Sequence, residues 1–169
     1  MKKFKYELML LFFISSFIHG QTNNDTNLKK ETAFDFWIGH WEVSWYGKDS
    51  TKIVGTNSIS KILDGKGIQE KFEDPSMKFK GTSISVYNPR SKEWHQAWAD
   101  NQGTFYNFVG ELQNDKRIFK TTHKDKNDVL WRMVFSEIKQ NSLIWTWQGT
   151  KDDGKTWDTF WKIFYKRME

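Results

Sequence analysis

Apolar and polar residues alternate along most of this chain, in short runs that turn signals separate. The first run, residues 39–46, places Trp41, Val43 and Trp45 on one side, with polar residues between them. A period of two residues is that of a β-strand whose two faces differ. The aromatic residues of 34–38 come directly before it, and we interpret them as a short helical turn that closes one end of a barrel.

Nine further alternating runs follow, bounded by turn signals such as Asp64-Gly65 and Asn88-Pro89. The predicted strands span 53–63, 67–73, 80–87, 93–100, 104–112, 117–123, 129–138, 143–148 and 156–166. About ten short strands with short connections predict an all-β fold, an up-and-down antiparallel β-barrel, which leaves no sheet edge exposed. A barrel of this strand number has room for one small ligand. A β-sandwich is the alternative.

The start of the chain has the layout of a secretory signal peptide. Residues 1–20 begin with three lysines, continue with the apolar run 8–18 and end on the small residue Gly20. We therefore expect cleavage near Gly20-Gln21 and export to the periplasm or the cell exterior, with an uncleaved membrane anchor as the alternative. After cleavage we expect no integral membrane segment, a disordered polar lead-in over 21–32 and one barrel domain over 33–169.

Composition narrows the possible partners. The chain has no cysteine, so an exported form is stabilised by its core alone, and ten tryptophans supply apolar area for that core. The net charge is +5, but the basic residues alternate with acidic ones, as in 124–126 and 151–153. Nucleic-acid binding needs a continuous basic surface, so we expect no nucleic-acid partner. The oligomeric state does not follow from these features.

Two features resemble lipocalin-like proteins. Gly39-His40-Trp41, after an aromatic turn, is similar to the G-x-W opening of lipocalins. The resemblance implies that Trp41 packs at the closed end of the barrel against a basic residue of the last strand, for which Lys166 and Arg167 are placed. Longer strings at 34–41 (F-D-F-W-I-G-H-W), 68–72, 85–89, 94–103, 132–135 and 152–157 resemble an uncharacterised exported bacterial lipocalin-like family. That resemblance covers nearly all of the mature chain and implies the barrel, with no assigned reaction.

A further resemblance is local. Residues 150–157 fit the pattern [ST]-x-D-x-G-x-T-W, which resembles the Asp box of sialidase propeller blades. It implies a hairpin turn between the last two strands, in which Asp152 caps backbone N–H groups, Gly154 takes a positive φ and Trp157 ends the motif. Propellers carry several such boxes and this chain has one, which disfavours a glycosidase.

Alternation also predicts which polar side chains point inward. Glu70 shares a face with two apolar neighbours, Gln96 lies between Trp94 and Trp98, and the Ser83 face competes with the Ile84 face for the interior. An aromatic pocket with a few polar groups is the usual composition of a small-ligand site. The predicted ligand-binding residues are Glu70, Ser83, Gln96, Trp98, Asp100, Arg132 and Trp147. Glu70 and Arg132 would form a compensated pair inside, or would both lie on the solvent face or in a filled barrel.

No motif indicates a metal, a cofactor or a catalytic nucleophile. His40, His95 and His123 lie on separate segments without a metal-binding pattern, and no G-x-S-x-G elbow occurs. Because these motifs are absent, we expect no cofactor. The alternative is haem bound as in nitrobindin-type barrels, which use one histidine, with His95 or His123 as the axial ligand.

The leading hypothesis is an exported lipocalin-like barrel that binds a small, partly apolar or aromatic molecule without catalysis. One alternative is a small enzyme, an isomerase or hydrolase, that uses an inward-facing carboxylate such as Glu70 or Asp100. The other is a packed barrel that acts as an interaction module.

Overall fold

The chain forms a closed barrel of ten antiparallel strands, which confirms the predicted fold class. A computed structural model describes residues 30–169. The strands are β1 (Gly39–Tyr46), β2 (Lys52–Ile62), β3 (Gly67–Asp74), β4 (Phe79–Asn88), β5 (Glu93–Asp100), β6 (Phe105–Gln113), β7 (Lys116–Thr121), β8 (Leu130–Ser136), β9 (Ser142–Thr150) and β10 (Asp158–Arg167). Each strand pairs with the next, and β10 pairs with β1 to close the barrel.

Two single-turn 3-10 helices, Lys30–Thr32 and Asp35–Trp37, precede the barrel. The carbonyl of Lys30 accepts a hydrogen bond from Trp94 Nε1 at 2.7 Å, so Lys30–Thr32 belong to the fold and not to a disordered lead-in. Residues 1–29, which include the predicted signal peptide, lie outside the described residues. No helix within residues 30–169 is long and apolar enough to cross a membrane.

Residues 33–38, which we call the plug, close one end of the barrel. The ring of Phe34 stacks on Phe119 with 4.3 Å between centroids and meets the rings of Trp94 and Phe135 at steeper angles. The plug is tied to β1 because Trp41 Nε1 donates to the carbonyl of Trp37 at 2.7 Å. These side chains are nearly inaccessible to solvent, so this end of the interior is filled.

Arg167, at the end of β10, binds the backbone of the plug. Its guanidinium carbon lies 4.0 Å from the centroid of the Trp41 ring. Its two Nη atoms donate to the carbonyls of Ile38 and Phe36 at 2.7 and 3.0 Å. Gly39 has a φ of +138°, and a Cβ there would overlap this guanidinium. Gly39, Trp41 and Arg167 are thus brought together as one unit, and Arg167, not Lys166, makes the cation–π contact.

The turn between β9 and β10 is organised by Asp152. Its Oδ1 accepts from Thr150 Oγ1 at 2.6 Å, and its Oδ2 accepts from Thr156 Oγ1 at 2.6 Å. These hydrogen bonds hold the pKa of Asp152 well below its usual range. Gly154 has a φ of +91°, and Trp157 Nε1 donates to its carbonyl at 3.1 Å. The segment therefore serves as a hairpin turn here.

Candidate functional site

The opposite end of the barrel contains a cavity of about 280 Å³. β5 runs from the plug, at Trp94, to this cavity, at Asp100. Gln102 and Thr104 also line the cavity, and because Gln102 is exposed in the turn after β5, the cavity reaches the protein surface there. The volume lies just below the range of roughly 300–1,000 Å³ that is usual for ligand sites, so the cavity suits one small molecule.

Aromatic rings make up most of the cavity wall. The rings of Trp145 and Trp147, two residues apart on β9, are nearly parallel, with 6.3 Å between centroids. Trp131 on β8 stacks on Trp147 with 5.3 Å between centroids, and Trp161 meets Trp145 edge-on at 5.8 Å. Rings that pack against one another in this way have few alternative rotamers, so the wall is preorganised for a ligand.

A β-bulge in β10 lies directly before Trp161, the first residue of this strand that lines the cavity. The register between β10 and β9 shifts between Thr159 and Trp161, so Phe160 has no opposite partner. Phe160 is 63% exposed, whereas Trp161 lines the cavity. Alternation from Tyr165 through Ile163 already places Trp161 inward. It does not reveal the bulge, which turns Thr159 away from the face of Trp161.

Buried polar groups form the floor of the cavity. Glu70 is only 6% exposed, and its carboxylate accepts hydrogen bonds from Asn57 Nδ2 and from Ser83 Oγ, each at 2.7 Å. Asn57 Nδ2 also donates to the hydroxyl of Tyr165 at 2.9 Å. Glu70 and Tyr165 line the cavity, while Asn57 and Ser83 do not. Asn57 is hydrogen-bonded to both lining residues, and Ser83 is hydrogen-bonded to Glu70.

Burial raises the pKa of Glu70 to about 7, although the hydrogen bonds from Asn57 and Ser83 oppose the shift. Burial and the nearby Glu70 also raise the pKa of Tyr165, which therefore stays protonated. Near neutral pH the Glu70 carboxyl is divided between its charged and neutral forms, a property more common in functional sites than on surfaces.

The donor count at the floor leaves a hydrogen available to a ligand. An amide nitrogen has only two hydrogens, and Asn57 gives one to Glu70 and one to Tyr165. Tyr165 accepts in that bond, so its own hydroxyl hydrogen is left for another acceptor. The floor thus presents a carboxyl acceptor and a phenol donor side by side.

Asp100 lies at the mouth of the cavity. Its Oδ1 accepts from the backbone N–H groups of Gln102 and Thr104, both at 3.0 Å, and its Oδ2 accepts from Trp98 Nε1 at 3.3 Å. Burial opposes ionisation, but the bonds from Thr104 and Gln102 lower the pKa of Asp100, so its charge persists. The same bonds fix the turn and one side of the Trp98 ring.

Six of the seven predicted ligand-binding residues point into the barrel. Glu70, Trp98, Asp100 and Trp147 line the cavity. Ser83 is buried behind Glu70, and Gln96 is buried without lining the cavity, donating from Nε2 to Ser85 Oγ at 2.9 Å.

Arg132 lies outside the barrel, so the predicted Glu70–Arg132 pair is wrong. Arg132 Nε donates to Gln148 Oε1 at 2.7 Å, and its guanidinium carbon lies 3.9 Å from the centroid of the Trp157 ring. The neighbouring Met133 lines the cavity instead. The outer face offers Arg132 an aromatic ring and a polar partner without full desolvation, whereas the interior would not.

The competition on β4 is decided in favour of the serines. Ser83 and Ser85 are each 1% exposed, and Ile84 is 46% exposed on the outer face. The small inward residues of β4 leave room for the Trp98 ring, and their hydroxyls pair with Glu70 and Gln96. The packing of the Trp98 ring and the hydrogen bonds of the two serines thus outweigh the free-energy cost of exposing Ile84.

Asn57, Tyr165 and Trp161 were not among the site residues predicted from the sequence. Tyr165 and Trp161 alternate with polar residues on β10, and Asn57 lies between the inward Gly55 and Ile59 on β2. Alternation alone contained a signal for both Tyr165 and Trp161, which share a face of β10 with Ile163, but nothing local marks an asparagine as internal.

The three histidines within residues 30–169 do not contribute to this cavity. His40 and His123 are exposed, His95 is about half exposed beside Glu93, and none of the three lines the cavity. Among residues 30–169, no group of three or more His, Cys, Asp or Glu is arranged to hold a metal ion.

The fold and the cavity define a closed, up-and-down β-barrel protein with an aromatic cavity that has a polar floor. Residues 30–167 match the model of a protein family of unknown function, DUF1579, and the chain belongs to that family. The match begins at the first 3-10 helix and ends at the last residue of β10, so it covers the complete barrel. Comparison with curated proteins finds no match.

Proposed function

We propose that this protein is an exported, lipocalin-like barrel that binds one small, partly apolar or aromatic molecule and has no catalytic role. The observation that carries the proposal is the cavity of about 280 Å³, with nine aromatic side chains around a buried polar floor. A barrel that acted only as a packed interaction module would have no need of such a space.

Two kinds of contact would hold the ligand. The faces of Trp98, Trp145 and Trp147 remove its apolar part from water and supply most of the affinity. The carboxyl of Glu70 and the hydroxyl of Tyr165 orient its polar end, because a mismatched group would leave a buried partner unsatisfied. Asp100 is placed to contact whatever portion of the ligand reaches the mouth.

The test is titration with N-phenyl-1-naphthylamine, a neutral probe whose fluorescence rises in apolar surroundings. We expect saturable binding, weakened roughly tenfold or more in Trp98→Ala because an aromatic wall is removed. Trp157→Ala is the matched control, since that indole lies outside the barrel over Arg132. Binding that Trp98→Ala leaves unchanged, in a variant with an intact circular dichroism spectrum, would contradict the proposal.

Export is a separate part of the proposal and rests on the layout of residues 1–20. Fractionation of the native host, followed by N-terminal sequencing, tests it. We expect the protein outside the cytoplasm with Gln21 as its first residue. A cytoplasmic protein that retains Met1 would be the opposite result.

A catalytic role for Glu70 is the second candidate, favoured by its pKa of about 7 in an apolar cavity beside Tyr165. The probe is 5-nitrobenzisoxazole: a carboxylate base takes the C3 proton while the N–O bond breaks, which yields the cyanonitrophenolate. Catalysis by Glu70 would increase with pH through about 7 and be lost in Glu70→Gln, but not in Glu73→Gln on the outer face. A rate equal to that of acetate would leave no support for this candidate.

A further inference from the structure

The charges that line the cavity have one sign. Two of its fifteen lining residues, Glu70 and Asp100, are acidic, and none of the fifteen is Lys or Arg. The chain as a whole has the opposite excess, with 26 Lys and Arg against 21 Asp and Glu. The acidic interior is therefore a property of the site and not of the composition.

Two basic side chains near the cavity, Arg132 and Lys124, are turned away or already paired. Arg132 lies on the outer face over Trp157. Lys124, in the loop before β8, forms ion pairs with Asp128 at 3.2 Å and Asp153 at 3.0 Å. Their contacts therefore leave the carboxylates of the cavity uncompensated.

A third carboxylate, Asp125, lies beside the cavity, where the nearby Lys126 offsets part of its charge. Asp125 accepts a hydrogen bond from Trp131 Nε1 at 2.8 Å, beside the wall of tryptophans. Burial raises the pKa of Tyr106 in the lining, and the negative charges of Asp125 and Asp100 raise it further. A cation that approached the mouth would be attracted by both carboxylates.

At the floor, Glu70 contacts only neutral groups. Asn57 from β2 and Ser83 from β4 donate to it. Tyr165 from β10 lies close enough that the charge of Glu70 raises the pKa of its hydroxyl. Neutral donors offset only part of the cost of burying a carboxylate, and a positive charge would offset much more. The aromatic rings around it attract cations through their faces.

We propose, on the basis of the ligand-binding function above, that the ligand is a small organic ammonium ion whose charged nitrogen lies between Glu70 and the tryptophan rings. Its apolar remainder fills the space below Asp100. The volume of about 280 Å³ suits a compact amine. A primary ammonium would donate to Glu70, while any adjacent hydroxyl or carbonyl oxygen of the ligand would accept from Tyr165.

A pair of probes of equal size isolates the charge. Phenethylamine is protonated at about pH 8, and 2-phenylethanol replaces its ammonium group by a neutral hydroxyl. Both are measured by displacement of N-phenyl-1-naphthylamine and by isothermal titration calorimetry. We expect phenethylamine to bind roughly tenfold more tightly, the preference given by one buried ion pair with cation–π contact.

Glu70→Gln should abolish that preference, because the amide keeps the shape of Glu70 without its charge. Its oxygen can still accept from Asn57, and its NH2 group can donate to the Ser83 hydroxyl, which reverses that bond. Glu73→Gln is the matched control: it removes the same charge from the same strand, but on the outer face, where Glu73 pairs with Lys80 at 3.2 Å. A preference that persists in Glu70→Gln would overturn the inference.

A measurement on the unaltered protein covers the case in which Glu70→Gln does not fold. The affinity for phenethylamine should fall as the pH is lowered from about 8 to about 5.5, because Glu70 becomes neutral, while that for 2-phenylethanol should not. Asp100 remains charged over this range. Equal affinity for the two probes, with the naphthylamine still bound, overturns the ammonium inference alone. Failure of all three probes to bind overturns the proposed function as well.

Discussion

The indole ring of Trp98 lies directly against the backbone of Gly81, in the volume that a Cβ atom at position 81 would occupy. The two residues are on neighbouring strands, β5 and β4, where Trp98 is opposite Ser83 in the register. Two small residues in alternate positions of β4 thus allow one large ring to lean against the strand. The width of the cavity depends on this arrangement, because the ring would otherwise be forced inward.

Gly81→Ala should therefore weaken ligand binding. The added methyl group displaces the Trp98 ring toward the cavity, and we expect roughly tenfold lower affinity for N-phenyl-1-naphthylamine and a loss of about 1–3 kcal/mol in unfolding free energy. The control is Gly65→Ala, in an exposed turn with a φ of +83° and open space around it. It should lower stability by backbone strain alone and leave the affinity unchanged; equal affinities of Gly81→Ala and the unaltered protein would refute the role of Trp98.

Arg167→Lys should loosen the plug although the charge is kept. Lysine cannot reproduce the planar set of bonds to the carbonyls of Ile38 and Phe36 while it also covers the Trp41 ring. We expect a loss of about 2–4 kcal/mol in urea unfolding followed by circular dichroism. Lys166→Ala, on the exposed face of the same strand, should change stability by less than about 0.5 kcal/mol. Similar effects of the two variants would contradict this account.

The pH dependence of stability should report on Glu70. Its pKa is about 7 in the folded state and about 4.5 ordinarily, so between these values the folded protein holds a proton that the unfolded chain releases. The contribution of Glu70 is therefore present below pH 4.5, declines as the pH rises through this window and is lost above about 7.

Urea unfolding at about pH 5 and pH 8 measures this term by comparison with Glu70→Gln. The variant should gain up to about 3 kcal/mol relative to the unaltered protein between the two values, because it cannot ionise. Glu73→Gln should show no such gain, since its parent carboxylate is exposed. A pH-independent difference would mean that the carboxyl titrates normally.

Asp152→Ala should disorder the turn between β9 and β10 without changing the affinity of the cavity for its ligand. It removes the acceptor for the hydroxyls of Thr150 and Thr156 and for the backbone N–H of Thr156. We expect faster amide hydrogen exchange at Thr156 and an unchanged affinity for N-phenyl-1-naphthylamine, because Asp152 does not line the cavity. Lys151→Ala, exposed in the same turn, should leave the exchange rate as it is.

Local patterns in the chain were sufficient for the architecture. Alternation about Trp41 and Trp98, with a turn signal after nearly every run, predicted ten strands whose bounds differ from those observed by at most two residues. Alternation works well here because each strand of a closed barrel has one wet face and one dry face, so burial has the same period as the backbone. The aromatic run at 34–38 similarly indicated the plug.

The composition of the site depended on contacts between distant strands. Glu70, Trp98, Asp100 and Trp147 were predicted to line a pocket and do face the cavity, but Asn57 and Tyr165 are 108 residues apart and meet only in the closed barrel. The bulge at Phe160 changed the facing of the first residues of β10, and Arg132 turned outward to Trp157, which ends the turn between β9 and β10.

The amino-acid sequence by itself determined the strand order, the plug and the aromatic character of the interior, because each of these follows from local periodicity. Only the tertiary structure decided that Glu70 is held by neutral partners, that Ser83 is inside and Ile84 outside, and that the cavity has carboxylates without a basic residue. The reason is physical: the side on which a polar group lies depends on the volume, hydrogen bonds and charges that the opposite strands offer it.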